Sequence, residues 1–141
     1  MNPRKTEIES LHKFFVQWFK AEIPQTNENF NTHFVQTISE SSPPFTLVSP
    51  SGVKSSYKDL ITDLYNAYAC RKGDDTYTIW IDNVQEQTLG NGLYLMEYEE
   101  HQCVSKKHTK RLSTALLRER CISGDITKLE WVRVHETWMT E

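Results

Sequence analysis

Hydrophobic positions recur every three or four residues over the first half of the chain and every second residue over the rest. Ile8, Leu11, Phe15, Trp18, Phe19 and Glu22 follow the i, i+3, i+4, i+7 spacing of one helical face, and Phe14 widens the stripe. Two start signals compete for this helix. Asn2-Pro3 offers an N-cap followed by proline at the first helical position, and Thr6-x-x-Glu9 offers a capping box. Pro24 is expected to end it. Phe30, Phe34 and Ile38 then mark a shorter helix over Glu28 to Ile38, closed by the loop composition of SESSPP. FTLVSP reads as a short strand and Ser51-Gly52 as a turn. In SSYKDLITDLYNAY, Tyr57, Leu60, Ile61, Leu64 and Tyr68 share a third helical face, with Ser55 or Ser56 as its cap and Gly73 beyond its end.

From Asp75 onward the period is two. TYTIWIDNV, GLYLMEYEEHQCV, KRLSTALLRERCI and KLEWVRVHETW are four strand-like runs, separated by the turn chemistry of LGNG, SKKH and SGD. The runs are long for strands, which implies a strongly curved sheet. Helices gathered on one side of an antiparallel sheet make an α+β domain. A curved sheet around an aromatic helix encloses a cone, and one domain over residues 1–141 is expected.

Composition narrows the function classes. Hydrophobic residues make up 38% and charged residues 25%, the balance of a globular domain. The net charge of −3 argues against a phosphate-backbone partner, so no nucleic acid is expected. The start MNPRKTEIES lacks an apolar signal region, and no run of about 18 apolar residues offers a membrane span. Cys70, Cys103 and Cys121 form no CxxC and no even framework, which reads as reduced thiols and a cytoplasmic setting.

The helix ending in WF, FTLVSPSG before the third helix, IWIDNV, YEEHQ, RLSTALL and LEWVRVHETW occur in an order and spacing that resembles the SnoaL-like branch of the nuclear transport factor 2-like superfamily. The resemblance covers nearly the whole chain. It implies a cone-shaped fold, a pocket between sheet and helices, and a homodimer formed through the outer sheet face. The superfamily includes isomerases, dehydratases, cyclases and epoxide hydrolases beside members that only bind or assemble, so fold does not fix function. No catalytic set of the superfamily transfers residue by residue, and the catalytic residues stay unassigned.

Strand alternation sorts the candidates for a site. Trp131, Arg133, His135 and Thr137 alternate with Glu130, Val132, Val134, Glu136 and Trp138 on the last strand. Arg111, Ser113, Ala115 and Leu117 share a face of the strand before it, and Tyr94, Met96, Tyr98, Glu100 and Gln102 share a face of the second. Alternation does not say which face points inward. The expected pocket brings together Arg111 and His135, with Trp131 as an apolar wall and with Phe15 and Trp18 from the first helix. A buried guanidinium requires a carboxylate, Glu99 or Glu100, or else a bound anion. His135 titrates near neutrality and serves as base, acid or donor. The plainer readings stand beside these: Arg111 with Glu100 as an ion pair at a strand edge or as a dimer contact, His135 as a hydrogen-bonded strand end, and the aromatic stripe as core.

Other chemistries find little support. No GxSxG elbow or glycine-rich phosphate loop is present. The histidines at 12, 33, 101, 108 and 135 show no HExxH and no close His/Cys set. His101 and Cys103, two apart on one face, make only a pair of ligands, so neither metal nor cofactor is expected. Two function classes remain. One is a small-molecule pocket protein for an anionic or hydrophobic ligand, extending to a cofactor-independent lyase, isomerase or hydrolase. The other is a non-catalytic homodimeric binding or assembly module.

Overall fold

The computed structural model describes residues 2–140 and, at Ile126, the backbone alone. The first helix, α1, spans Pro3–Phe19, and the Asn2-Pro3 signal sets its start: the Asn2 side chain accepts the N–H groups of Arg4 and Lys5. Its end comes before Pro24. Ala21 takes a left-handed φ of 56°, and the carbonyls of Trp18 and Phe19 accept N–H groups from Ala69 and Arg71. Helix α2 spans Asn27–His33, shorter than expected, and a 3₁₀ turn at Val35–Thr37 follows it. Helix α3 spans Tyr57–Asn66 with Ser56 as its cap.

Strands β1 (Thr46–Val48), β2 (Lys54–Ser55), β3 (Thr78–Gly90), β4 (Leu93–Val104), β5 (Lys107–Ser123) and β6 (Ile126–Trp138) form one curved, unclosed six-stranded sheet in the order β2-β1-β6-β5-β4-β3. The four long strands are the expected consecutive antiparallel hairpins. The β3–β4 turn runs through Asn91 and Gly92, both at positive φ, which suits a two-residue hairpin turn. A Cβ on Gly92 would lie 3.0 Å from the Glu119 carbonyl oxygen, so glycine is needed there for approach as well as for φ. Beyond the hairpins, β1 adds to β6 in parallel, with Leu47 opposite Val134.

The three α-helices found among the described residues cover one face of the sheet, making an α+β cone. Trp18 is the pivot of the core. Its ring packs on Phe14, Phe30, Tyr65 and Tyr68, and its indole N–H donates to the Leu64 carbonyl at 2.8 Å. An aromatic this size is buried at little polar loss because its one donor is satisfied.

One irregularity decides what the sheet presents to the helices. Leu116 pairs with Arg133 and Leu117 with Trp131, so β6 carries an extra residue, Val132, in a β-bulge. The bulge reverses alternation along β6. Trp131 faces the helices, and so do Val134 and Glu136, while Arg133 and His135 point away and are exposed. The expectation that Trp131 and His135 share a face is therefore corrected by a single inserted residue.

Candidate functional site

A cavity of about 180 Å³ lies between the helices and the concave face of the sheet. Its walls are apolar: Leu11, Phe15 and Phe19 from α1, Leu60 and Leu64 from α3, with Phe34, Ile38 and Trp131 closing the side. Its floor is polar and comes from three adjacent strands and one helix. Cross-strand pairing places Glu100 opposite Arg111 and Ser113 opposite Glu136, while His12 descends from α1.

The floor is a chain of charge. The Nε2–H of His12 donates to Glu100 Oε1 at 2.9 Å, and its Nδ1–H to the Ile8 carbonyl at 2.7 Å. Both partners are acceptors, so the ring is held as an imidazolium. Glu100 also accepts from Gln102 Nε2 at 2.6 Å, and its Oε2 lies 4.0 Å from Arg111 Nε. Arg111 Nη1 donates to Glu136 Oε1 at 3.3 Å, and the guanidinium rests over the Trp138 ring at 4.8 Å from its centroid. Ser113 Oγ donates to Glu136 Oε2 at 3.4 Å. Arg111 Nε is buried with no hydrogen-bond partner.

These contacts split the two carboxyls. Burial pushes Glu100 up, but His12 and then Arg111 outweigh it and hold the group at about 2. Glu136 has longer bonds, 3.3 Å and 3.4 Å against 2.9 Å and 2.6 Å at Glu100. Burial, with the Glu100 charge beside it, pushes Glu136 up to about 7 against the pull of Arg111. For His12, burial favours the neutral ring, yet the Glu100 charge and hydrogen bond prevail and raise its pKa. Burial also raises Tyr98 well above the usual phenol range, so it lines the floor as a neutral hydroxyl. The floor therefore combines fixed charges with one carboxyl able to exchange its proton near neutral pH, the property wanted of a general acid or base.

Of the residues singled out from the sequence, Arg111, Glu100, Trp131 and Phe15 meet at this cavity. Glu99 and His135 do not. Glu99 alternates with Glu100 onto the other face, where Asn83 Nδ2 donates to it at 2.6 Å, and the Val132 bulge turns His135 outward. Trp18 lies in the core beside α2 and α3 instead of at the cavity wall, since Phe15 and Phe19 occupy the neighbouring stripe of α1 that faces it. His12, Gln102 and Glu136 line the cavity and were missed as site residues. His12 carried a readable signal, because it sits beside Leu11 and four residues after Ile8 on an otherwise apolar stripe. Glu136 became legible only through the bulge.

Residues 5–140 match the family described as sucrose-6-phosphate phosphohydrolase C-terminal. An NTF-2-like protein of unknown function from Pseudomonas aeruginosa superposes with a TM-score of 0.80 at 22% identity, over 97% of this chain and 98% of that one. An uncharacterised protein with a cystatin-like fold from Caulobacter vibrioides follows at 0.66 and 13%, over 97% and 87%. ActVI-ORFA from Streptomyces coelicolor gives 0.56 and 13%, over 97% and 98%. No curated protein matches the chain. At these identities the superpositions establish the fold, which is the nuclear transport factor 2-like one that the sequence resembles. By its match over residues 5–140, the chain belongs to the sucrose-6-phosphate phosphohydrolase C-terminal family.

Proposed function

We propose that this chain is a small-molecule-binding protein whose cavity takes a compact ligand with an apolar body and a single carboxylate. The observation that carries the reading is the pairing of apolar walls with an Arg111 whose Nε has no hydrogen-bond partner and whose nearest carboxylate, Glu136, is weakly held. With Glu136 protonated, His12 and Arg111 supply two positive charges against the one of Glu100, leaving the floor at +1, complementary to a monoanion. The family takes its description from a hydrolase of sucrose 6-phosphate. A phosphate dianion would meet the Glu100 charge on this floor, so a carboxylate fits better.

The proposal extends to cofactor-independent lyase, isomerase or hydrolase chemistry, in which Glu136 would give and take the proton and Tyr98 would donate from its hydroxyl. Thermal unfolding against medium-chain and aromatic carboxylic acids, with sucrose 6-phosphate included, tests the binding. A ligand of the folded state raises the melting temperature in step with RT ln(1 + [L]/Kd). The expected result is a saturable rise with an apolar monocarboxylate and none with sucrose 6-phosphate. A flat response to every acid at millimolar concentration would leave the cavity without this role.

A second reading rests on the other face of the sheet. Leu93, Leu95, Leu112 and Leu116 lie there half-buried, away from the helices. An apolar sheet face suits a second copy of the chain, as a homodimeric binding or assembly module. Sedimentation velocity is expected to give a dimer that Leu112→Glu converts to monomer. A wild-type monomer at tens of micromolar would remove this reading. The three cysteines are free, two of them exposed, which favours a reducing compartment such as the cytoplasm. Among the described residues no helix is long and apolar enough to cross a membrane.

A further inference from the structure

On the sheet face opposite the cavity, β3 and β4 bring Asp82 directly across from Glu99, and Trp80 across from His101. Two carboxylates placed directly opposite on a sheet repel one another. Each has one oxygen held by Asn83: Asp82 Oδ1 accepts its backbone N–H at 3.0 Å, and Glu99 Oε2 its side-chain amide at 2.6 Å. Glu99 Oε1 faces His101 Nε2 at 3.4 Å. That nitrogen is buried, on a residue 8% exposed, and makes no hydrogen bond.

The rest of the imidazole explains why. His101 Nδ1 and His108 Nε2 are 2.9 Å apart. Their ring centres lie 5.1 Å apart with planes 14° from parallel, the geometry of two imidazoles bonded edge to edge. Trp80 lies over both rings, with centroids at 4.9 Å and 5.2 Å and planes within 18° of parallel. The clamp fixes the plane of His101 and aims Nε2 at the two carboxylates. If His101 Nδ1–H is the donor to His108, Nε2 presents a lone pair to two anions. In that tautomer a cation offsets the repulsion, whereas with the proton on Nε2 the ring faces Glu99 as an ion pair at 3.4 Å.

We propose that Asp82, Glu99 and His101 form a site for a first-row divalent cation, of the Zn²⁺ or Mn²⁺ kind. The three donor atoms lie within 4.8 Å of one another, and the 3.4 Å between His101 Nε2 and Glu99 Oε1 is already the separation of two ligands on one such ion. One imidazole and two carboxylates without thiolate is a donor set for these ions over copper(I) or iron–sulfur chemistry. His108 takes the outer position that orients a ligating histidine through its other ring nitrogen. Lys110, the cross-strand neighbour of His101 on β5, is the nearby like charge that opposes the ion. Because β3 is the edge strand of the long hairpins, the ion would pin that edge to β4. This site is independent of the cavity and needs none of its residues.

The full chain, stripped with chelator and dialysed, is titrated with Co²⁺ and Zn²⁺ by calorimetry and absorbance. One ion per chain is expected, with visible cobalt bands, no thiolate charge-transfer band, and a metal-dependent rise in melting temperature. Asp82→Asn, at an exposed position, and Glu99→Gln should each weaken binding by at least tenfold. Binding that survives both substitutions within twofold, a thiolate band placing the ion on Cys103, or no saturable binding would each overturn the proposal.

Discussion

Arg111→Ala is expected to destabilise the protein at about pH 8 by about 3–5 kcal/mol, the loss typical of breaking a buried charge network by removing one partner. The guanidinium is the group that lies between the two buried carboxyls, at 3.3 Å from Glu136 and 4.0 Å from Glu100. Its removal leaves His12 alone to balance Glu100 and leaves Glu136 facing that charge unscreened. Near pH 5 the loss should shrink to about 1–2 kcal/mol, because Glu136 is then protonated and the pair of His12 and Glu100 still stands. Chemical denaturation at the two pH values measures the difference. A loss equal at both would mean that Arg111 acts through its packing on Trp138 and not through charge.

Glu136→Gln should do the reverse at high pH. The carboxyl is carried from 4.5 to about 7 in the folded protein, chiefly by burial and then by Glu100. A raised pKa means that the folded state holds the proton more tightly, so this contribution is complete below about pH 4.5 and is lost as pH rises through about 7. The loss amounts to roughly 3 kcal/mol at about pH 8, from a rise of about 2.5 at about 1.4 kcal/mol for each pH unit. Glutamine keeps the shape and an acceptor for Arg111 but never ionises, so the variant is expected to exceed the wild type by that amount at about pH 8 and to match it near pH 5. His12, whose pKa is also raised, loses its contribution in the same direction, leaving a shallower decline in the variant. Glu100 works oppositely: its contribution is present above its ordinary 4.5 and disappears as pH falls towards about 2. The wild type should therefore be most stable near pH 5. Stability profiles of both proteins by urea denaturation decide it, and a variant less stable than the wild type at about pH 8 would refute the raised carboxyl.

The three helices and four long strands were legible because each carried its own local signal, whereas the two-residue β2 was not read. Asn2-Pro3 set the start of α1, Ser56 capped α3, and Asn91-Gly92 turned β3 into β4. The end of α1 was not legible, since the carbonyls of Trp18 and Phe19 are satisfied by the distant Ala69 and Arg71. The parallel addition of β1 to β6 is likewise a long-range pairing with no local mark. At the cavity, alternation grouped Arg111, Glu100 and Trp131 with their strand neighbours and helical phase grouped Phe15 with its stripe, but neither said which face points inward. Glu136 did not, because one bulged residue at Val132 reverses alternation, and a strand with large groups on both faces hides the reversal. His12 stood out on its apolar stripe, but its role did not. Taken alone a buried histidine is a packing residue, and only its contact with Glu100, 88 positions away, makes it part of a site.

In the proposed function the cavity binds a monoanion through Arg111 while Glu136 is protonated. Calorimetric titration of the full chain with octanoate, at about pH 6 and about pH 8, tests it most directly. Saturable binding of one octanoate per chain is expected, several-fold tighter at the lower pH, because protonation of Glu136 leaves the floor positive. No saturable binding at either pH, or binding that Arg111→Gln leaves unchanged, would contradict it.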